Sequence, residues 1–283
     1  MPLADYSFTF GSFTFGAGTP FPILEIDGLE GVPELRVQDD NRGYNDGSFS
    51  GRDFYNGRTV TFVINVFAGN NNSAQTNYSL LQASLLPQST GTTTLMFKLS
   101  PSDTEKTIQA RVRQVRTKVD PEFTFGYIKT QVVMFCPDPR YYDNSTTFVS
   151  IYPPLTTPGR TYNRVYDLNF GGGGSNQASI FNTGWIYTSP IVTITGPCNI
   201  PVIGLSGTTN YVGVNYQLTA TDTVVIDLNQ KLVTLNGTAA RNLVTPGSTW
   251  FTAPPGTSQF YFSVSSGATA STNATISYSP AYV

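Results

Sequence analysis

The 283-residue sequence predicts an all-β protein with one short helix, folded as two β-sandwich domains. Three observations carry this expectation. Short segments rich in Val, Ile, Thr, Phe and Tyr recur between clusters of Gly, Pro, Asn and Ser, the pattern of brief strands joined by turns. A single stretch has helical periodicity. Charge also changes abruptly along the chain: of 16 Lys+Arg, 14 lie at or before Arg164, and of 18 Asp+Glu, 16 lie at or before Asp167. That step, with the breakers of 150–163 and the glycine run 171–174, places a first domain at 1–152, a linker at 153–176 and a second domain at 177–283.

The first element is SFTFGSFTFG at 7–16, five residues written twice. In one straight strand the two Phe pairs would point to opposite faces, because side chains alternate. A two-residue type II′ turn at Gly11-Ser12 instead sets Phe10 opposite Phe13, Thr9 opposite Thr14 and Phe8 opposite Phe15. All four rings then share one face and can seed a core.

Strands are expected at 23–26, 59–67, 92–99 and 107–119, and the segment 123–136 is long enough for two more. The helix is expected over 73–86: Ser73 can cap it, Tyr78, Leu81 and Leu85 form one stripe, and Pro87 ends it. In 107–119, Ile108, Ala110 and Val112 point inward. A one-residue slip at Gln114, a β-bulge, returns Val115 and Val119 to that side. Arg111, Arg113, Arg116 and Lys118 then line the outer face. This cationic stripe is a subunit or partner contact, a nucleic-acid contact, or a solvated strand face that discourages edge aggregation.

Beyond residue 176 the strands are short and evenly spaced, at 191–196, 212–219, 222–228, 231–237 and 258–266. Asn229-Gln230 is expected to turn a hairpin with Ile226 and Leu228 facing inward.

Composition excludes several chemistries. Histidine is absent, which removes Ser-His-Asp and Cys-His catalysis, His-based zinc sites and an imidazole switch near neutral pH. A net charge of -2 offers no basic surplus for nucleic acid. Apolar runs such as 132–136 are far shorter than a membrane span, and the N-terminus lacks the pattern of a signal peptide. Cys136 and Cys198 read as buried free thiols.

The acidic stretch DDNRGYNDG at 39–47 fails the calcium-loop pattern, because Tyr44 stands where an oxygen ligand is needed; it reads as a turn. GGGGSN at 171–176 lacks phosphate-loop spacing and reads as a loop. No pair of carboxylates stands out for glycoside hydrolysis. No catalytic residue, cofactor or metal site is therefore expected, and the chain reads as a non-enzyme. In the second domain Trp185, Tyr187 and Trp250 can stack on a glycan or meet a partner, against the plainer reading of core residues.

Several stretches resemble a known family. FGYIKTQVVMFCPDPRYYD (125–143) is similar to the end of the first domain of siphophage distal tail proteins, with Phe135, Asp138, Pro139, Arg140 and Tyr141 at the matching positions. Residues 180–203, with Asn182-x-Gly184, Pro190 and Gly196-Pro197, resemble their second domain. The likeness continues through Ile226-Asp227, Asn236-Gly237 and Trp250…Pro255-Gly256. Residues 25–51 and Gly57-Arg58 resemble the family's opening strands. The motifs keep the family's order over most of the chain; the run 171–174 and the charge-poor second half depart from it.

The resemblance implies a virion structural protein, a distal or minor tail protein of a long non-contractile tail. Its first domain would form a homo-oligomeric ring, a hexamer in the family, and its second would be a galectin-like sandwich. The ring would join the major tail tube protein to the central hub of the baseplate, where the tape-measure end lies, with receptor-binding proteins around it. DNA would only pass through the lumen, with no membrane insertion. The protein would be made in the host cytoplasm and reside at the tail tip. A carbohydrate-binding role for the second sandwich stays open beside this reading.

Overall fold

The computed structural model describes residues 3–67, 71–154 and 176–283. The chain divides into two compact units, Met1–Ser145 with Tyr282–Val283, and Thr146–Ala281. Strands dominate both, as expected. Among the described residues, the helices are Asn71–Ser84 and the four-residue Pro121–Thr124, with one 3-10 turn at Arg241–Leu243.

In the first unit the doubled motif forms the expected hairpin, with Phe8 opposite Phe15, Thr9 opposite Thr14 and Phe10 opposite Phe13. Gly11 takes φ +60°, as the first central position of a type II′ turn requires. All four phenylalanines are buried. Phe8 stacks on Phe15 at 5.6 Å, and Phe62 meets both edge-on at 5.2 and 5.3 Å.

Phe62 can do so because the sheet folds over on itself. Its order is 13–16, 7–10, 93–98, 106–117, 128–136, 58–66, 23–27, all antiparallel. The long strand Lys106–Thr117 serves both halves, pairing first with Thr93–Lys98 and then with Ile128–Cys136. The register shift between Val112 and Gln114 is the expected bulge, which bends the strand and carries its end into the facing layer.

Ile108, Ala110 and Val112 are buried and Val115 packs against the core, but Val119 does not follow. It lies beyond the strand end at Thr117 and is 77% exposed. The segment 123–136 supplies one strand, Ile128–Cys136, not two. Its first residues belong to the Pro121–Thr124 helix, capped by Asp120, whose carboxylate accepts from the Phe123 N–H. The longer helix begins two residues before Ser73, so Ser73 lies inside it instead of capping it. Its Leu81, and Leu85 just past its end, are buried as expected, and Tyr78 donates to Thr117 Oγ1 at 2.9 Å.

The second unit is a sandwich of a six-stranded sheet, in the order 147–151, 273–278, 191–195, 223–227, 232–235, 238–239, and a four-stranded sheet, 177–182, 256–263, 202–205, 211–213. Alternation does the sorting. Val192, Ile194, Val224, Ile226, Ala274 and Ile276 face inward from the larger sheet and meet Ile180, Ile203, Phe260 and Phe262 from the smaller. The strand Thr147–Ile151 falls within the expected first span 1–152, yet it pairs with Asn273–Tyr278 and gives Ile151 to the second core. Of the expected linker 153–176, residues 155–175, with the glycine run, lie outside the described residues.

Ile226 and Leu228 are buried, but the turn between strands 223–227 and 232–235 spans four residues, not Asn229-Gln230 alone. The Asp227 carboxylate closes it by accepting from the Asn229 and Gln230 N–H groups, both at 2.8 Å. The following hairpin turns on Asn236-Gly237, with φ of +49° and +81°, the two positive values of a type I′ turn.

Candidate functional site

Among the described residues no three His, Cys, Asp or Glu cluster as a metal site. Both thiols are free and buried, and burial pushes Cys136 up to about 12 and Cys198 to about 11, so neither is a nucleophile near neutral pH.

The feature that sequence reading missed is a hairpin arm. Residues 34–55 are exposed without interruption. The legs touch through two short ladders, Leu35–Arg36 with Phe54–Tyr55 and Asp40–Asn41 with Ser48–Phe49. Between the ladders the Gly51 N–H donates to Asp39 Oδ1 at 2.8 Å. The acidic stretch 39–47, expected as a turn, is its tip, where the Arg42 N–H bonds the Gly47 carbonyl. Tyr44 is 103% exposed and Phe49 62%. The arm's arginines lie over its own rings: Arg36 and Arg52 over Phe54 at 5.4 and 5.3 Å, and Arg42 over Phe49 at 5.0 Å. A two-stranded ribbon of this kind is marginal in water without a surface to lie on. The sequence carried a signal for the tip alone, since the legs lack apolar alternation.

The cationic stripe is brought together, though unequally. Arg111 and Arg116 lie opposite Phe135 and Gln131 on the outer face, and Arg113 is the extra residue of the bulge. Arg113 rests over the Phe135 ring at 5.2 Å, and Arg111 donates to the Ser89 carbonyl at 3.4 Å. Lys118 is paired with Asp120 at 3.1 Å. Among the described residues, none of the three arginines has a carboxylate within 4.0 Å.

The aromatics expected as one set in the second unit are split. Trp250 is half-buried and packs against the core. Trp185 and Tyr187 point outward, 71% and 43% exposed, from a turn built by Asn182 and Gly184. Buried Asn182 donates to the Ile186 carbonyl at 2.8 Å and accepts from the Gly184 N–H at 3.0 Å. A Cβ on Gly184 would sit 1.9 Å from the Ala281 carbonyl oxygen, so only glycine fits. Ile186, between the two exposed rings, and Thr188, after them, are buried.

Residues 183–282 match the family model described as siphovirus-type tail component, C-terminal domain. Among solved structures, the SPP1 Dit (gp 19.1) protein, described as a paradigm of the hub adsorption apparatus in phages infecting Gram-positive hosts, has a TM-score of 0.69 at 14% identity, covering 98% of this chain and 99% of that chain. A chain of the phage P2 baseplate in its activated conformation with Ca has a TM-score of 0.52 at 10% identity, covering 97% of each. Among curated proteins, none matches the chain by sequence. With these solved structures the chain shares its fold. The family-model match over residues 183–282, with the shared fold, bears out the resemblance to the siphophage distal tail proteins.

Proposed function

We infer that the chain is a ring-forming subunit at the tip of a long non-contractile tail, where several copies, six in the family it resembles, join the tail tube to the central hub and to peripheral adhesion proteins. The observation that carries this reading is the arm. Among the described residues this 22-residue hairpin with aromatic side chains is exposed throughout, and a neighbouring copy would supply a surface to cover it. The work is geometric: cyclic symmetry sets a lumen through which DNA passes, and each end of the ring presents a docking face. Electron microscopy of the purified protein, with its solution mass, tests this. Rings with an open centre support it, and a persistent monomer both alone and with tail tubes sinks it.

A second reading rests on Trp185 and Tyr187, held outward by the Asn182-Gly184 turn: the second sandwich, galectin-like in the family, would bind a host-surface glycan there. Saturable glycan binding lost in Trp185→Ala supports it, and binding unchanged by that substitution removes it.

A further inference from the structure

We propose that the arm of one subunit lies across the arginine row of the next, its carboxylates meeting Arg111, Arg113 and Arg116. The occupant of the row is thus a second copy of this chain, and the contact rests on the ring reading above.

Two unsatisfied charge sets argue for it. Residues 34–55 contain five carboxylates, Glu34, Asp39, Asp40, Asp46 and Asp53, and three arginines. The arginines are turned onto Phe49 and Phe54 of the arm itself. Among the described residues no Lys or Arg nitrogen lies within 4.0 Å of any of these five carboxylates. The arm therefore carries carboxylates without a cationic partner beside its exposed aromatic rings. On the Lys106–Thr117 strand the reverse holds: among the described residues no carboxylate lies within 4.0 Å of its three guanidiniums, which stand beside the half-buried Phe135 and Val133 of the neighbouring strand. Cation-rich and partly apolar, that face complements the arm in both respects.

Reach is consistent. From Glu34 to Tyr44 a leg of ten steps extends roughly 33 Å at strand rise, about the diameter of a domain of this size. A contact from the arm of one copy to a strand face of the next uses two different patches, so it is heterologous. Such contacts close into rings when the rotation per subunit divides a full turn. Desolvated arginine–carboxylate pairs would also fix register, because an arm shifted along the row sets Arg42 or Arg36 against like charge.

The test is a charge swap read by mass photometry and electron microscopy. Arg113→Glu with Arg116→Glu, and separately Asp40→Lys with Asp46→Lys, should each raise the protein concentration needed for ring formation at least about tenfold. Raising salt should weaken wild-type assembly. Combining all four substitutions should restore assembly toward the wild-type concentration. Slow labelling of Cys136 in every variant shows that the first unit remains folded. Rings that form equally well in all variants overturn the contact and leave the ring reading standing, and so does a fourfold variant no better than either pair. A wild type that never assembles overturns the ring reading, and the contact with it.

Discussion

Tyr141 and Tyr282 stack face to face, ring centroids 5.7 Å apart and planes inclined by 13°. Tyr282 is the penultimate residue, yet it belongs to the first unit, where its hydroxyl donates to Asp143 Oδ2 at 3.3 Å and Lys106 Nζ lies 4.9 Å from its ring. The chain's end thus completes the packing around Tyr141. Tyr282→Ala should destabilise the first unit by about 1–2 kcal/mol, from the lost aromatic pair and the apolar area it covers. The two thiols report this separately, since Cys136 is buried in the first core and Cys198 in the second. Labelling of Cys136 should accelerate while that of Cys198 stays slow. Equal acceleration of both would refute the assignment of Tyr282 to the first unit's stability.

Gly11→Val should disfavour the first hairpin. Residue 11 sits at φ +60°, which costs a β-branched residue about 1–2 kcal/mol, and a Cβ there would stand 3.3 Å from Thr93 Cγ2. Urea unfolding followed by Cys136 labelling should show the first transition at lower denaturant. An unchanged midpoint would mean the turn contributes nothing.

That hairpin was legible because its cue is local: a repeat with glycine at the turn fixes the register by itself. The bulge in 106–117 was legible for the same reason, since the apolar alternation slips by one. The helix start was not, because Asn71 and Asn72 enter the helix against their weak propensity. Nor was the strand 147–151, whose place depends on a partner more than 120 positions away. The arm escaped because burial is what periodicity records, and among the described residues 34–55 are exposed throughout. The three arginines were visible as a stripe, while the partial neutralisation at Lys118 depends on the turn that brings Asp120 back to it.

Arg58 carries a buried charge, 3% exposed, and its guanidinium fork ties two loops. Nη1 donates to the Gly28 carbonyl at 3.1 Å and to that of Leu29, Nε donates to Pro139 at 3.2 Å, and the plane lies 5.7 Å from the Tyr141 ring. Burial lowers its pKa, while the charge is compensated by carbonyl dipoles and the ring. A lysine has one nitrogen where three acceptors at separate positions need a planar fork. Arg58→Lys should therefore cost about 2–4 kcal/mol, close to the cost of Arg58→Met, because both leave buried carbonyls without donors. A shift in urea midpoint with unchanged slope measures it. A lysine variant as stable as wild type would mean the fork geometry is not what holds these loops.

Acid should weaken both units, through carboxylates whose hydrogen bonds favour the charged form. In the first unit the Leu3 N–H bonds Glu105 Oε1 at 2.6 Å and Asn144 Nδ2 bonds Oε2 at 2.9 Å, which together hold Glu105 below its ordinary value. In the second, Asn236 Nδ2 and the Thr219 hydroxyl and N–H do the same for Asp222. A carboxylate depressed in the folded state contributes its full stabilisation above its unfolded pKa and loses it as pH falls through the lower folded value. With no histidine in the chain, no side chain of ordinary pKa titrates between about pH 5 and 8. Stability should therefore be level across that span and fall below the ordinary carboxylate range. Glu105→Gln should flatten the acid limb of the first unit's transition and leave that of the second intact, as Asn236→Ala should do in reverse. Urea midpoints measured from pH 7 to pH 3 decide it: an acid limb of the first transition that is equally steep with and without Glu105 would show that other carboxylates, such as Asp120 beside Lys118, carry the pH dependence instead.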